Sequence, residues 1–163
     1  MTRANIIIIH DGFLGKAYFE KGSSGYPKEV VPELVRFLIG HVSKGAIERK
    51  DEKILYNGVA PHCLATLLNN LYLSLGQVGN PYYFYELDLT KGTIKAWESK
   101  TRWINAPANW KEKGYNCYKG TNGKDGYTTW IKGKVVFSTD INKLLKETKF
   151  EVVDEVFEVP AIS

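Results

Sequence analysis

Hydrophobic positions along the chain change period several times, and each change predicts an element. Ala4–His10 carries four consecutive isoleucines, a β-branched run too short for a helix, and reads as a buried strand. Asp11-Gly12 starts a turn, and Lys16–Glu20 returns as a second strand through Tyr18 and Phe19. A Gly- and Ser-rich loop, Lys21–Lys28, follows. Pro32 then suits a first helical turn, and Leu34, Val35, Leu38 and Val42 recur at helical spacing, predicting a helix over Pro32–Ser43. Lys44–Lys53 reads as a charged connector.

Pro61 opens a second predicted helix. Its stripe runs through Cys63, Leu64, Leu67, Leu68, Leu71, Tyr72 and Leu75, and Gly76 and Gly79 end it. Beyond the Asn80-Pro81 turn, Tyr82–Asp88 and Thr93–Glu98 predict a hairpin. Pro107 makes Trp103–Trp110 a loop or short helix. Tyr115–Lys119, Tyr127–Lys132 and Lys134–Ser138 predict strands, and Asp140 or Thr139 caps a short helix ending near Lys146. Phe150–Val159 alternates apolar and acidic residues like a half-exposed strand. The expected architecture is one α+β domain over residues 1–163: a mainly antiparallel sheet with two main helices packed on one side.

Composition supports a globular domain. The chain has 163 residues, 44% hydrophobic and 25% charged, which excludes wholesale disorder. No apolar run approaches the roughly 20 residues of a spanning helix, so no membrane association is expected. Ile6–Ile9 is too short for a secretory signal, and two cysteines build no disulfide framework, so a reducing cytoplasm is the expected compartment.

The net charge of +4 conceals an asymmetry. Residues 1–90 hold nine basic and nine acidic side chains; residues 91–149 hold thirteen basic against five acidic; the tail from Phe150 holds four acids. The basic stretch also contains all four tryptophans, Trp97, Trp103, Trp110 and Trp130, with Tyr115, Tyr118 and Tyr127 among them. Cations beside aromatic faces suit a ligand with phosphates and bases: one group neutralises charge, the other stacks.

The titratable and nucleophilic residues point to no enzyme. His10-Asp11 reads as a turn start, His41 as a residue near a helix end, and Cys63 as part of an apolar stripe. His62, Cys63 and Cys117 lack an identifiable fourth ligand, so no metal site is assigned. No serine has a nucleophile-elbow context, and Lys21-Gly22-Ser23-Ser24-Gly25 only loosely matches an anion-binding nest. Thr2 would become an N-terminal nucleophile only after removal of Met1. The expectation is no catalytic residue and no cofactor.

Met1-Thr2-Arg3-Ala4-Asn5, Gly25-Tyr26-Pro27, Val31-Pro32-Glu33-Leu34 and Phe37-Leu38 resemble a group of small phage and bacterial proteins. These begin Met-(Gly or Cys)-Thr-Arg and carry Asp-Gly-Tyr-Pro ahead of a helix. Here the small residue after Met is missing, the motif's Asp is Ser24, and its usual Arg is Lys21. The resemblance implies a phage or mobile-element context and a compact α+β domain. In that context the expected function is anti-defence: non-catalytic sequestration of a nucleotide-derived immune signal. Arg3, Lys21 and Tyr26, with Arg102, Trp103, Trp110 and Lys111, are the candidate ligand-binding residues. Arginine would clamp phosphate bidentately, lysine would act as a point charge, and tryptophan would stack on the base. Inhibition of a host defence protein by direct binding, and nucleic-acid binding, are the alternatives. A homo-oligomer is compatible with each.

Overall fold

The structure is a computed structural model and describes residues 2–10, 15–43, 47–50, 53–56, 71–74 and 80–161. Among the described residues eleven strands and two helices follow one another: β1 (Ala4–His10), β2 (Gly15–Lys21), α1 (Pro27–Ser43), β3 (Ile47–Lys50), β4 (Lys53–Tyr56), β5 (Leu71–Ser74), β6 (Tyr83–Asp88), β7 (Thr93–Asn105), β8 (Tyr118–Lys119), β9 (Asp125–Asp140), α2 (Ile141–Leu144), β10 (Lys149–Val152) and β11 (Glu155–Glu158). The main sheet runs β5-β2-β1-β6-β7-β9-β8. Its pairings are antiparallel except β1 with β6. The sheet curls into a half-barrel. β3–β4 and β10–β11 are separate hairpins.

This architecture overturns the expected α+β fold with two main helices. The chain is mostly β, and α1 is the one helix of seven or more residues among those described. Leu71–Ser74, placed by its leucines in a second long helix, is instead strand β5 and pairs with β2 through Tyr18↔Ser74 and Lys21↔Leu71. The rest of the predicted Pro61–Leu75 helix, with His62 and Cys63, lies outside the described residues, as does the Asp11-Gly12 turn. The expected charged connector Lys44–Lys53 holds β3 and the first residue of β4, which pair as a hairpin. The strands expected over Tyr127–Lys132 and Lys134–Ser138 are one sixteen-residue strand, β9, and Trp103 lies inside β7 rather than in a loop.

Strand alternation sorts side chains onto two faces. On one, Ala4, Ile6 and Ile8 of β1 meet Phe19 of β2, Tyr85 and Leu87 of β6, and Ile94 and Ala96 of β7, all at most 1% exposed. Helix α1 supplies Val30, Val31, Leu34, Val35 and Leu38 to the same core. Phe137, Phe150 and Phe157 extend it under the β10–β11 hairpin, with ring centroids 5.8–6.5 Å apart. On the other face lie Asn5, Ile7, Tyr18, Phe84, Glu86, Lys95 and Trp97. On that face Phe84 is only 3% exposed.

The Thr2–Asn5 and Gly25–Pro27 segments meet at the start of α1. Gly25 N–H donates to the Thr2 carbonyl at 3.0 Å, and a methyl on Gly25 would lie 2.8 Å from that oxygen and 2.9 Å from the Ala4 side chain. Only glycine fits so close an approach. The Tyr26 carbonyl accepts from Glu29 and Val30, opening the helix, and Pro27 occupies its first position, where no N–H is required. Tyr85, fully buried across the sheet, donates its hydroxyl to the Gly25 carbonyl at 2.5 Å. Burial pushes the Tyr85 phenol far above the usual tyrosine range, so it remains a donor throughout the physiological range. The Thr-Arg-Ala and Gly-Tyr-Pro segments are therefore two sides of one structural junction. Tyr85→Phe strands the Gly25 carbonyl and is expected to cost about 1–3 kcal/mol, measured by urea unfolding.

Candidate functional site

The seven residues singled out in the sequence are distributed over separate regions. Arg3 is exposed beside β6, its carbonyl accepting from Tyr82 N–H. Tyr26 is 47% exposed and its ring lies 6.2 Å from that of Tyr83. Lys21 is 3% exposed and lines a cleft beside α1. Arg102 and Trp103 are adjacent in β7 and so project to opposite faces. Trp103 does structural work: its Nε1 donates to Asn105 Oδ1 at 3.0 Å, and it packs edge-on against Tyr118 at 5.3 Å. Gly120 and Gly126 pass directly beneath its indole. Trp110 is half-buried in the turn after β7, with the exposed Lys111 ammonium 5.4 Å from its ring centre. Arg102, Trp103, Trp110 and Lys111 do not share a described cleft with Arg3, Lys21 or Tyr26.

Aromatic and cationic groups do converge, around different members of the same basic stretch. On β7, Lys95 and Trp97 are two residues apart and share the sheet face opposite α1. On β9, Trp130 and Lys132 repeat that spacing, and Lys132 opposes Ser99, diagonal to Trp97. The Lys132 ammonium lies 4.1 Å from the Trp97 ring centre and that of Lys95 lies 5.5 Å away, both within cation–π range. Glu86 of β6 completes the arrangement with an ion pair to Lys132.

Two depressions flank Lys132. One is a hollow of about 370 Å3, walled by Ile7, Tyr18, Phe84, Trp130 and Ile131, with Asn5 and Lys132 as its polar groups. Aromatic walls with a few polar groups, at a volume of several hundred Å3, are the usual make-up of a small-molecule site. The other is a shelf of about 490 Å3 that receives Lys91, Lys95, Lys132 and Lys143, opposed by Glu86 and Asp140. Asp140 is partly committed elsewhere: its carboxylate caps α2 by accepting from Lys143 N–H at 2.9 Å. Thr139, 6% exposed, also borders the shelf, and its hydroxyl has no hydrogen-bond partner. Lys132 lines both depressions, so the aromatic hollow and the basic shelf adjoin at this side chain.

The sequence reading passed over Tyr18, Phe84, Trp97, Trp130, Lys95 and Lys132 as site residues. A signal for four of them was present: Lys-x-Trp and Trp-x-Lys, at strand period, place each pair on one face. Tyr18 and Phe84 join only through the pairings of β1 with β2 and β6, which are not visible locally. His10 and His41 lie on β1 and α1, and Cys117 is a half-buried free thiol. Among the described residues no helix is long and apolar enough to cross a membrane. Comparison with known proteins finds no matching family model, no similar curated protein and no similar solved structure.

Proposed function

We propose that this protein is a non-catalytic binder of a nucleotide-derived anion, acting as a phage-type anti-defence protein that sequesters an immune signal. The observation carrying the binding part is that Lys132 lines both the aromatic hollow and the lysine shelf. A base or similar flat ring occupies the hollow against Tyr18, Phe84 and Trp130. Phosphate oxygens lie along the shelf, where Lys91, Lys95, Lys132 and Lys143 outnumber Glu86 and Asp140. Lys132 exchanges its Glu86 partner for phosphate, an exchange of one oxyanion for another. Sequestration needs affinity alone, and the groups lining this surface supply stacking and charge without a paired nucleophile and base. The anti-defence role rests on the resemblance of the Thr-Arg-Ala and Gly-Tyr-Pro segments to small phage proteins.

Calorimetry against a panel of cyclic dinucleotides, ADP-ribose derivatives and mononucleotides tests this reading. At least one ligand is expected to bind, and Lys132→Gln should weaken it about 10- to 100-fold, the loss of one charge-assisted hydrogen bond. Because the Lys132–Glu86 pair is partly exposed, the variant should remain folded. Silence across the whole panel, or full affinity in Lys132→Gln, overturns the proposal.

A further inference from the structure

The β7–β9 hairpin outruns the sheet that holds its base. β6 pairs with β7 only as far as Tyr83↔Glu98, and Ser99 N–H still reaches the Tyr82 carbonyl at 3.0 Å. From there Ser99–Asn105 pairs with Gly126–Lys132, and β8 joins at the tip through Tyr118↔Gly126 and Lys119↔Asp125. Seven residue pairs make an arm roughly 20 Å long. Of residues 99–131, Gly126 alone is buried, so the arm adds almost nothing to the core. Its end is stiffened by Trp103, packed on Tyr118 and bonded to Asn105.

Strand parity sorts the arm's side chains. Residues paired directly across strands share a face. Lys100, Arg102 and Ile104 of β7 therefore lie with Ile131, Thr129 and Tyr127 of β9, and Lys119 of β8 lies with Asp125 on that same face. Trp103, Tyr118, Trp130 and Lys132 occupy the other. Tyr127, half-buried, stands diagonal to Arg102 on one side and to Lys119 on the other. Lys100, Arg102 and Lys119 are exposed, and none forms an ion pair with a described residue. The acids of this face, Glu98 and Asp125, stand at the arm's base and tip. Over residues 99–131 six basic side chains face two acidic ones, a surplus equal to the +4 of the whole chain.

We infer that this face docks a single-stranded nucleic acid, its phosphodiesters held by Lys100, Arg102 and Lys119 and an unstacked base lying on Tyr127. Charge complementarity carries the choice of partner: exposed cations without ion-pair partners, on an extension that adds little to the core, fit a polyanion. The tyrosine among them selects the single strand. A duplex keeps its bases stacked on one another and offers this face phosphate alone, whereas a single strand presents ring faces to aromatic side chains. An acidic polypeptide would use the cations and leave the ring idle. The inference stands apart from the proposed function, because Trp130 and Lys132 belong to the opposite face of the arm.

Fluorescence anisotropy on the full chain, with a labelled oligodeoxythymidylate of about 16 nucleotides, tests it. Binding is expected to weaken with salt at a log–log slope of about −2, as three phosphate contacts give on a single strand. Lys100→Gln with Arg102→Gln, both at exposed positions, should flatten that slope to about −0.7 and lower low-salt affinity about tenfold or more. Tyr127→Leu keeps the apolar bulk and should weaken binding about fivefold or more at an unchanged slope, the loss of one stacked base. A duplex of the same length and polyglutamate should each bind about fivefold more weakly than the single strand. Lys132→Gln should bind the oligonucleotide as the native protein does, which separates this face from the hollow and shelf. No binding at low salt, a native slope in the double variant, native affinity in Tyr127→Leu, or duplex or polyglutamate bound as tightly as the single strand overturns the assignment.

Discussion

Truncation of Leu34 to alanine is expected to destabilise the protein by about 2–5 kcal/mol, seen as a lower urea midpoint at unchanged slope. Leu34 is completely buried in the middle of α1, with Val30, Val31, Val35 and Leu38 equally sealed around it. Those five side chains are the helix's contribution to a core whose other half is Ile6, Ile8, Phe19, Leu87 and Ile94 on the sheet. In a domain with two long helices, a neighbouring helix can settle into the space left by a lost side chain. Here α1 spans seventeen residues and packs on a sheet held by backbone pairing on both sides of β1 and β6. A paired sheet collapses poorly into a cavity, so the cost falls toward the upper part of the range. Leu145→Ala is the control: that side chain is 42% exposed, and its loss should stay within about 0.5 kcal/mol.

The elements legible in the sequence were those whose pattern is local. The isoleucine run of β1, the period of α1, the Asp88–Gly92 turn and the Asp140 cap each carry their own signal within a few residues. In the structure Asp88 Oδ1 accepts from Thr90 and Lys91, and Gly92 takes φ 67°, as a tight turn demands. β5 differs from the expected helix because Leu71 and Tyr72 fit a helical stripe and a strand equally well. What decides between them is pairing with β2, fifty residues earlier in the chain, and no local pattern encodes that. The strands expected over Tyr127–Lys132 and Lys134–Ser138 leave Gly133 out between them. In the folded hairpin it marks an irregularity in register near Trp97–Ser99, through which the strand continues. Site residues followed the same division. The basic, tryptophan-rich stretch was evident in composition, but its members divide between structural and open positions according to strand parity. Trp103 fills the hairpin tip; Trp130 lines the hollow and Trp97 the shelf.

That structural position of Trp103 makes Gly126→Ala the most damaging small substitution expected in the β7–β9 hairpin. A methyl on Gly126 would overlap the Ile104 carbonyl oxygen and lie 2.6 Å from Trp103 Cζ2. Neither can yield easily. The carbonyl belongs to a paired strand, since Ile104 opposes Tyr127. The indole is clamped by Tyr118 at 5.3 Å and by its own bond to Asn105. Forced overpacking of this kind costs about 1–3 kcal/mol, and contact with backbone places it at the high end. The tip lies at the far end of the hairpin from the residues that pack on α1, so much of the loss should appear as local opening. Amide exchange between residues 118 and 128 should accelerate while Ile6 and Leu34 amides keep their protection. Adding Trp103→Ala removes one of the two clashes and should recover part of the loss, a non-additive pair whose remaining cost belongs to the Ile104 carbonyl. Full additivity, or unchanged exchange at the tip, would show that the indole does not hold the hairpin end. Lys132 lies six residues further along β9, beyond the strained segment, and binding at the hollow should survive the change.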